Sequence, residues 1–104
     1  MATNLIQWNS NINLDNDSIF LIFSQVWCPP CKALAPVLDQ VDKMITNNSL
    51  KMCKIDCEDH PDLAHRFNIR SVPTMILVHR GKVTNYNGPR DNHSIYNWLM
   101  DHTK

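Results

Sequence analysis

Val26-Trp27-Cys28-Pro29-Pro30-Cys31-Lys32 joins an apolar run, Ile19 to Phe23, to a segment of helical periodicity, Lys32 to Ile45. Two cysteines three apart at a strand-to-helix junction read as a dithiol redox site. Across one turn at a helix start, two sulfurs can come close enough to bond or to share a proton. The first sits where unpaired backbone N–H groups and the positive end of the helix dipole favour a thiolate. The thiolate is the attacking species in disulfide exchange. Cys28 is therefore expected to be the nucleophile. Cys31, one turn in and expected to be less exposed, would resolve the mixed disulfide. Pro29 and Pro30 fit the first helical turn, where their missing N–H groups would lack partners in any case. Neither can donate to the sulfur, so the pair is expected to tune the redox equilibrium.

Outward from this stretch the chain alternates between two periodicities. Ile19-Phe20-Leu21-Ile22-Phe23 is apolar on both faces, as in a central strand covered on both sides. Leu34, Val37, Leu38, Val41 and Ile45 form a stripe at helical spacing, with Pro36 inside the helix. Leu50–Cys57 reads as the next strand. A short helix, Asp62–Phe67, follows, with Asp59 as its cap and Pro61 in its first turn. Met75–His79, Arg80-Gly81-Lys82 and Val83–Tyr86 read as a hairpin, and Asp91 or Asn92 caps a last helix holding Ile95, Trp98 and Leu99. Leu5–Trp8 is an early or edge strand, and Asn9–Asp17 is a loop or a short helix. The order predicts a layered α/β fold: a central mixed sheet of four to five strands with helices on both faces.

The length, 104 residues, fits one domain spanning 1–104. Ten basic and ten acidic residues balance, so no electrostatic footprint for nucleic acid or anionic membrane is present. No apolar run approaches a membrane span. Residues 1–18 carry no leader-like pattern, which sets the expectation of a cytoplasmic, reducing location. Four cysteines admit two weaker alternatives. One is a disulfide framework, which a small secreted scaffold would make denser in cysteine. The other is a zinc site of Cys28, Cys31, Cys53 and Cys57, but the second pair lies along a strand and makes no ligand knuckle. Cys53 is expected in the core. Cys57, at a strand end, is expected to be partly exposed, as a boundary thiol or a regulatory one.

With these residues in place, the chain resembles the thioredoxin family over nearly its whole length. The resemblance rests on Trp27-Cys28-Pro29-Pro30-Cys31-Lys32, Ala35-Pro36, Lys54-Ile55-Asp56, Phe67–Thr74 with its Val72-Pro73-Thr74, and the Arg80-Gly81-Lys82 turn. Tyr86-Asn87-Gly88-Pro89-Arg90 and Ile95–Leu99 resemble the catalytic domains of protein disulfide isomerases. The resemblance implies a cis bond before Pro73, facing the dithiol. It implies an extended client chain bound along the backbone of Val72. Trp27 would flank the first sulfur, and Gly88 would leave room for the client. Thioredoxins carry a buried aspartate at the position of Ile22 and a lysine at that of Met52. Both are replaced here, so Ile22 joins Pro29 and Pro30 as a residue expected to tune the site.

The resemblance thus implies an enzyme, a thiol–disulfide oxidoreductase with no cofactor. It would reduce disulfides in client proteins as a monomer, recharged by a dithiol reductase or a small thiol. Two other readings share the fold: an oxidase or isomerase, and a client-binding module without turnover.

Overall fold

The computed structural model describes residues 5–8, 12, 14, 18–46 and 49–104. The expected loop or helix over 9–17 lies outside them apart from Ile12 and Leu14, as do Asn47 and Asn48 after the long helix. Strands β1 (Leu5–Gln7), β2 (Ser18–Ser24), β3 (Leu50–Asp56), β4 (Thr74–His79) and β5 (Lys82–Asn85) alternate with helices α1 (Pro29–Met44), α2 (Pro61–Arg66) and α3 (Asn92–His102). The strands form a five-stranded sheet in the order β1-β3-β2-β4-β5. β3 runs parallel to β1 and β2, and β4 runs antiparallel to β2 and β5. The fold is the thioredoxin fold: a mixed sheet between helical layers.

The apolar run 19–23 lies in the centre of this sheet. All five side chains are buried, and pleating sends them to opposite faces. Phe20 and Ile22 meet Leu34, Leu38 and Val41 of α1 and Ile95 and Leu99 of α3. Ile19, Leu21 and Phe23 meet Leu63 of α2, with Trp8 and Phe67 packed at the margin. Leu38 is fully buried, so its truncation to alanine falls in the class that costs about 2–5 kcal/mol. Trp98 packs edge-on against Tyr86 at 5.2 Å between ring centres.

Local chemistry fixes the ends of the elements. Pro29 and Pro30 open α1 at its first two positions. Pro36 stands in the helix interior on the exposed side, where the chain gives up one intrahelical hydrogen bond. Arg80 and Gly81 both have positive φ, 51° and 83°, as a two-residue hairpin of this twist requires. Asp91 caps α3: its carboxylate accepts from the Ser94 N–H at 2.9 Å and the Ser94 hydroxyl at 2.8 Å. The expected Asp59 cap is not formed. His60 takes the cap position of α2 without a side-chain bond. The turn before it is tied by Asp56, whose Oδ1 accepts from the N–H of Glu58 at 2.8 Å and of Asp59 at 3.4 Å.

Candidate active site

Cys28 is the cap residue of α1, with extended backbone angles, φ −85° and ψ 111°. Its carbonyl accepts from the Lys32 N–H at 3.1 Å and begins the helix. Its sulfur accepts from the Cys31 N–H at 3.2 Å. Because Pro29 and Pro30 lack N–H groups, Cys31 is the first helical residue able to donate. Cys28 and Cys31 are joined as a disulfide, their Cα atoms 5.2 Å apart, within the span such bonds cover. The structure is the oxidised form of the site.

The expected order of exposure is reversed. Cys28 is 3 % exposed, whereas Cys31 is half-buried. The cause is the loop before β4, which closes over the first sulfur and brings the Val72 carbonyl oxygen to 3.8 Å from it. Cys28 forms part of the wall of a groove of about 570 Å³ shared with Trp27, Pro29, Cys57 and Val72. The Val72–Pro73 bond is cis, as the resemblance implied, and Pro73 is buried.

Trp27 stands at the rim, 61 % exposed. Its indole Nε1 donates to Glu58 Oε1 at 2.8 Å. Glu58 is itself held by Asp56 at the end of β3. Sequence reading missed Glu58; its sole signal was an acidic residue two after Asp56, at a strand end that makes an Asx turn.

Ile22 lies beneath α1 in the same apolar layer as Met52, and both are buried. Among the described residues no polar or charged side chain is buried. Among those residues, then, no buried carboxylate lies in this layer beneath the sulfurs. Lys32 is exposed.

Gly88 has a structural reason beside the one the resemblance implied. A Cβ there would come within 2.8 Å of the Tyr86 hydroxyl oxygen and 2.9 Å of its ring. That hydroxyl donates to the Pro89 carbonyl, closing the loop. Gly88 also borders a smaller hollow beside Pro73.

The remaining thiols are held in the protonated form. Burial pushes Cys53 up to about 12. Burial, and then the charge of Asp56, raises Cys57 above the ordinary thiol range. Cys57 is half-buried in the groove wall, and Cys53 faces the α2 layer. The four cysteines do not converge, and among the described residues no three His, Cys, Asp or Glu side chains gather as metal ligands.

Residues 1–101 match the family described as thioredoxin. Protein disulfide-isomerase A4 of Bos taurus is 36 % identical over 89 residues, which is 84 % of this chain and 14 % of that protein. A thioredoxin of Buchnera aphidicola is 38 % identical over 71 residues, 67 % of this chain and 65 % of that one. Among solved structures, human ERp44 superposes over 100 % of this chain and 30 % of its own, with a TM-score of 0.85 at 23 % identity. The J-Trx1 fragment of ERdj5 covers 96 % of this chain and 52 % of its own, with a TM-score of 0.87 at 22 % identity. The chain thus spans about 14 % of the length of the disulfide isomerase it matches.

The expectation of a cytoplasmic location is overturned, because ERp44, ERdj5 and the disulfide isomerases are residents of the endoplasmic reticulum. That expectation rested on residues 1–18 lacking a leader, and where this chain begins carries no such information. Sequence and fold agree: the chain belongs to the thioredoxin family, and it bears a disulfide between Cys28 and Cys31 at the start of α1.

Proposed function

We propose that this domain exchanges disulfides with protein clients, in the reducing direction, with Cys28 attacking and Cys31 resolving. The observation that carries the reading is the Cys28 sulfur: it caps α1, forms part of an open groove and lies 3.8 Å from the Val72 carbonyl. A dithiol reductase or two small thiols first give two electrons to the Cys28–Cys31 bond, and both sulfurs are released as thiols. The Cys28 thiolate then attacks one sulfur of a client disulfide. A mixed disulfide forms, and the other client sulfur leaves as a thiolate and takes a proton. Cys31 loses its proton and attacks the Cys28 sulfur. The Cys28–Cys31 bond returns and the second client thiol departs. The client lies extended along Val72 and Pro73, between Trp27 and Gly88, in the manner of a chain added to an open backbone edge.

A second reading runs the same steps backwards, as an oxidase or isomerase. The 36 % identity to protein disulfide-isomerase A4 favours it. In either direction residues 1–104 act as one domain and as a monomer. An insulin-reduction assay with a small dithiol as donor tests the activity. Wild type is expected to shorten the lag before precipitation, and Cys28→Ser to abolish that effect. A wild-type lag equal to that of the dithiol alone contradicts the proposal and leaves a client-binding module.

A further inference from the structure

We propose that the client groove prefers segments carrying acidic side chains on both sides of the reacting cysteine, read by Arg70 and Arg90. This deepens the proposed function and rests on its placing of the client.

Two hollows meet at the loop that bears Val72 and Pro73. The larger is lined by Cys28, Val72 and Arg70, the smaller by Pro73, Gly88 and Arg90, and Ser71 borders both. A chain laid over Val72 and Pro73 therefore enters both. Among the described residues lining these hollows, Arg70 and Arg90 are the charged side chains, and none is a carboxylate. Both arginines are exposed. Arg70 is steadied by its neighbour: its Nε donates to Asn68 Oδ1 at 3.5 Å.

The nearby carboxylates are turned to partners of their own. Glu58 accepts from the Trp27 indole. Asp91, next to Arg90, accepts from the Ser94 N–H and hydroxyl, and those bonds hold its carboxyl below the usual range. Asp56 serves the N–H groups of Glu58 and Asp59. The start of α1 adds to the same sign: its first turn has no acidic residue, and Lys32 stands there exposed. A client with a carboxylate on each side of its cysteine meets a guanidinium in each hollow, a geometry suited to forked hydrogen bonds. Each exposed pair is worth a few-fold in affinity, about two to five. A lysine at the same places meets repulsion instead.

The test uses three short peptides that differ only in the residues flanking one position: Glu, Gln or Lys. Serine at that position gives a binding series, read by Trp27 fluorescence with the oxidised protein. Cysteine bound to glutathione gives a turnover series with the reduced protein. Both series are expected to rank Glu above Gln above Lys, with about tenfold between the extremes at low salt. The ranking should flatten near 1 M salt, where screening acts over about 3 Å. In Arg70→Glu/Arg90→Glu, checked for folding by circular dichroism, the ratio of Glu to Lys peptide should invert. Equal affinity of the three peptides for wild type, or an unchanged ranking in the double variant, overturns the proposal. A neutral small disulfide, bis(2-hydroxyethyl) disulfide, tests the redox reading separately. If wild type fails to reduce it while the serine peptides keep their ranking, the groove preference stands and the oxidoreductase reading falls.

Discussion

The backbone N–H of Cys31 donates to the sulfur of Cys28 at 3.2 Å. Pro29 and Pro30 occupy the two helical positions between them. The cap sulfur thus draws its local N–H bond from the third residue of α1, where a cap acceptor would otherwise be served from the second as well. In the reduced site this donor and the helix dipole are the local forces that favour a Cys28 thiolate.

Returning the missing donor should move the redox equilibrium. Pro30→Ala restores the N–H at the second helical position and stabilises the reduced thiolate by about 1 kcal/mol. The disulfide should become easier to reduce, by about fivefold in the equilibrium with glutathione, or roughly 20 mV. Pro29→Gly, which loosens the turn, should shift the same equilibrium. Titration against glutathione with alkylation and mass readout checks both, and unchanged constants remove the prolines from the account.

Ile22→Asp would place a carboxyl among Met52, Leu34 and Leu38 without the lysine that thioredoxins supply. Desolvation should raise its pKa in the folded state above the unfolded value of about 3.9. Below that value both states bind the proton and the ionisation penalty is absent. As pH rises toward the folded pKa, the unfolded state ionises first and stability falls. Urea unfolding should show a loss of about 2–5 kcal/mol at pH 8 and a smaller one at pH 3. The same acid should help remove the Cys31 proton. Stopped-flow resolution of the mixed disulfide should be slow and pH-dependent in wild type and faster in the variant near neutral pH. Fast, flat resolution in wild type would deny the acid such a role.

Cys57 should react sluggishly. Its pKa is raised by burial and by Asp56, so the thiolate is a small fraction near neutral pH and grows about tenfold per unit as pH rises. Iodoacetamide labelling of the oxidised protein at pH 7.5 should be slower at Cys57 than for glutathione. Asp56→Asn keeps an acceptor for Glu58 and removes the charge, and should speed labelling about twofold. Labelling faster than glutathione would restore a reactive regulatory role.

Gly88→Ala should cost about 1–3 kcal/mol, in the range of overpacking in a well-filled site. The new methyl meets the hydroxyl and ring of a buried Tyr86, and the bond to the Pro89 carbonyl must break or shift. Tyr86→Phe removes the hydroxyl but not the ring atom at 2.9 Å, so Tyr86→Phe/Gly88→Ala should recover only part of the loss. Thermal unfolding of the three variants checks it.

The parts of the fold that short-range chemistry decides were legible in the sequence. The two-sided apolar run marked β2 as central, the prolines marked the start of α1, and Arg80-Gly81 marked the hairpin. What depends on distant chain was not. The order of exposure of the two sulfurs is set by Val72, 44 residues from Cys28, closing over the first of them. The Trp27–Glu58 bond spans 31 residues and joins two exposed side chains that no periodicity pairs. The Asp59 cap failed because α2 begins at Pro61, which leaves His60 and not Asp59 at the cap position. The need for Gly88 comes from a ring folding back over its own loop, which spacing alone does not encode.

The assignment of Cys28 as attacking thiol is tested most directly by trapping. The reduced Cys31→Ser and Cys28→Ser proteins are each mixed with a disulfide-bearing client and analysed by non-reducing electrophoresis. The account predicts a covalent client complex with Cys31→Ser, released by excess dithiol, and none with Cys28→Ser. Equal trapping by the two variants, or trapping by Cys28→Ser alone, would contradict it.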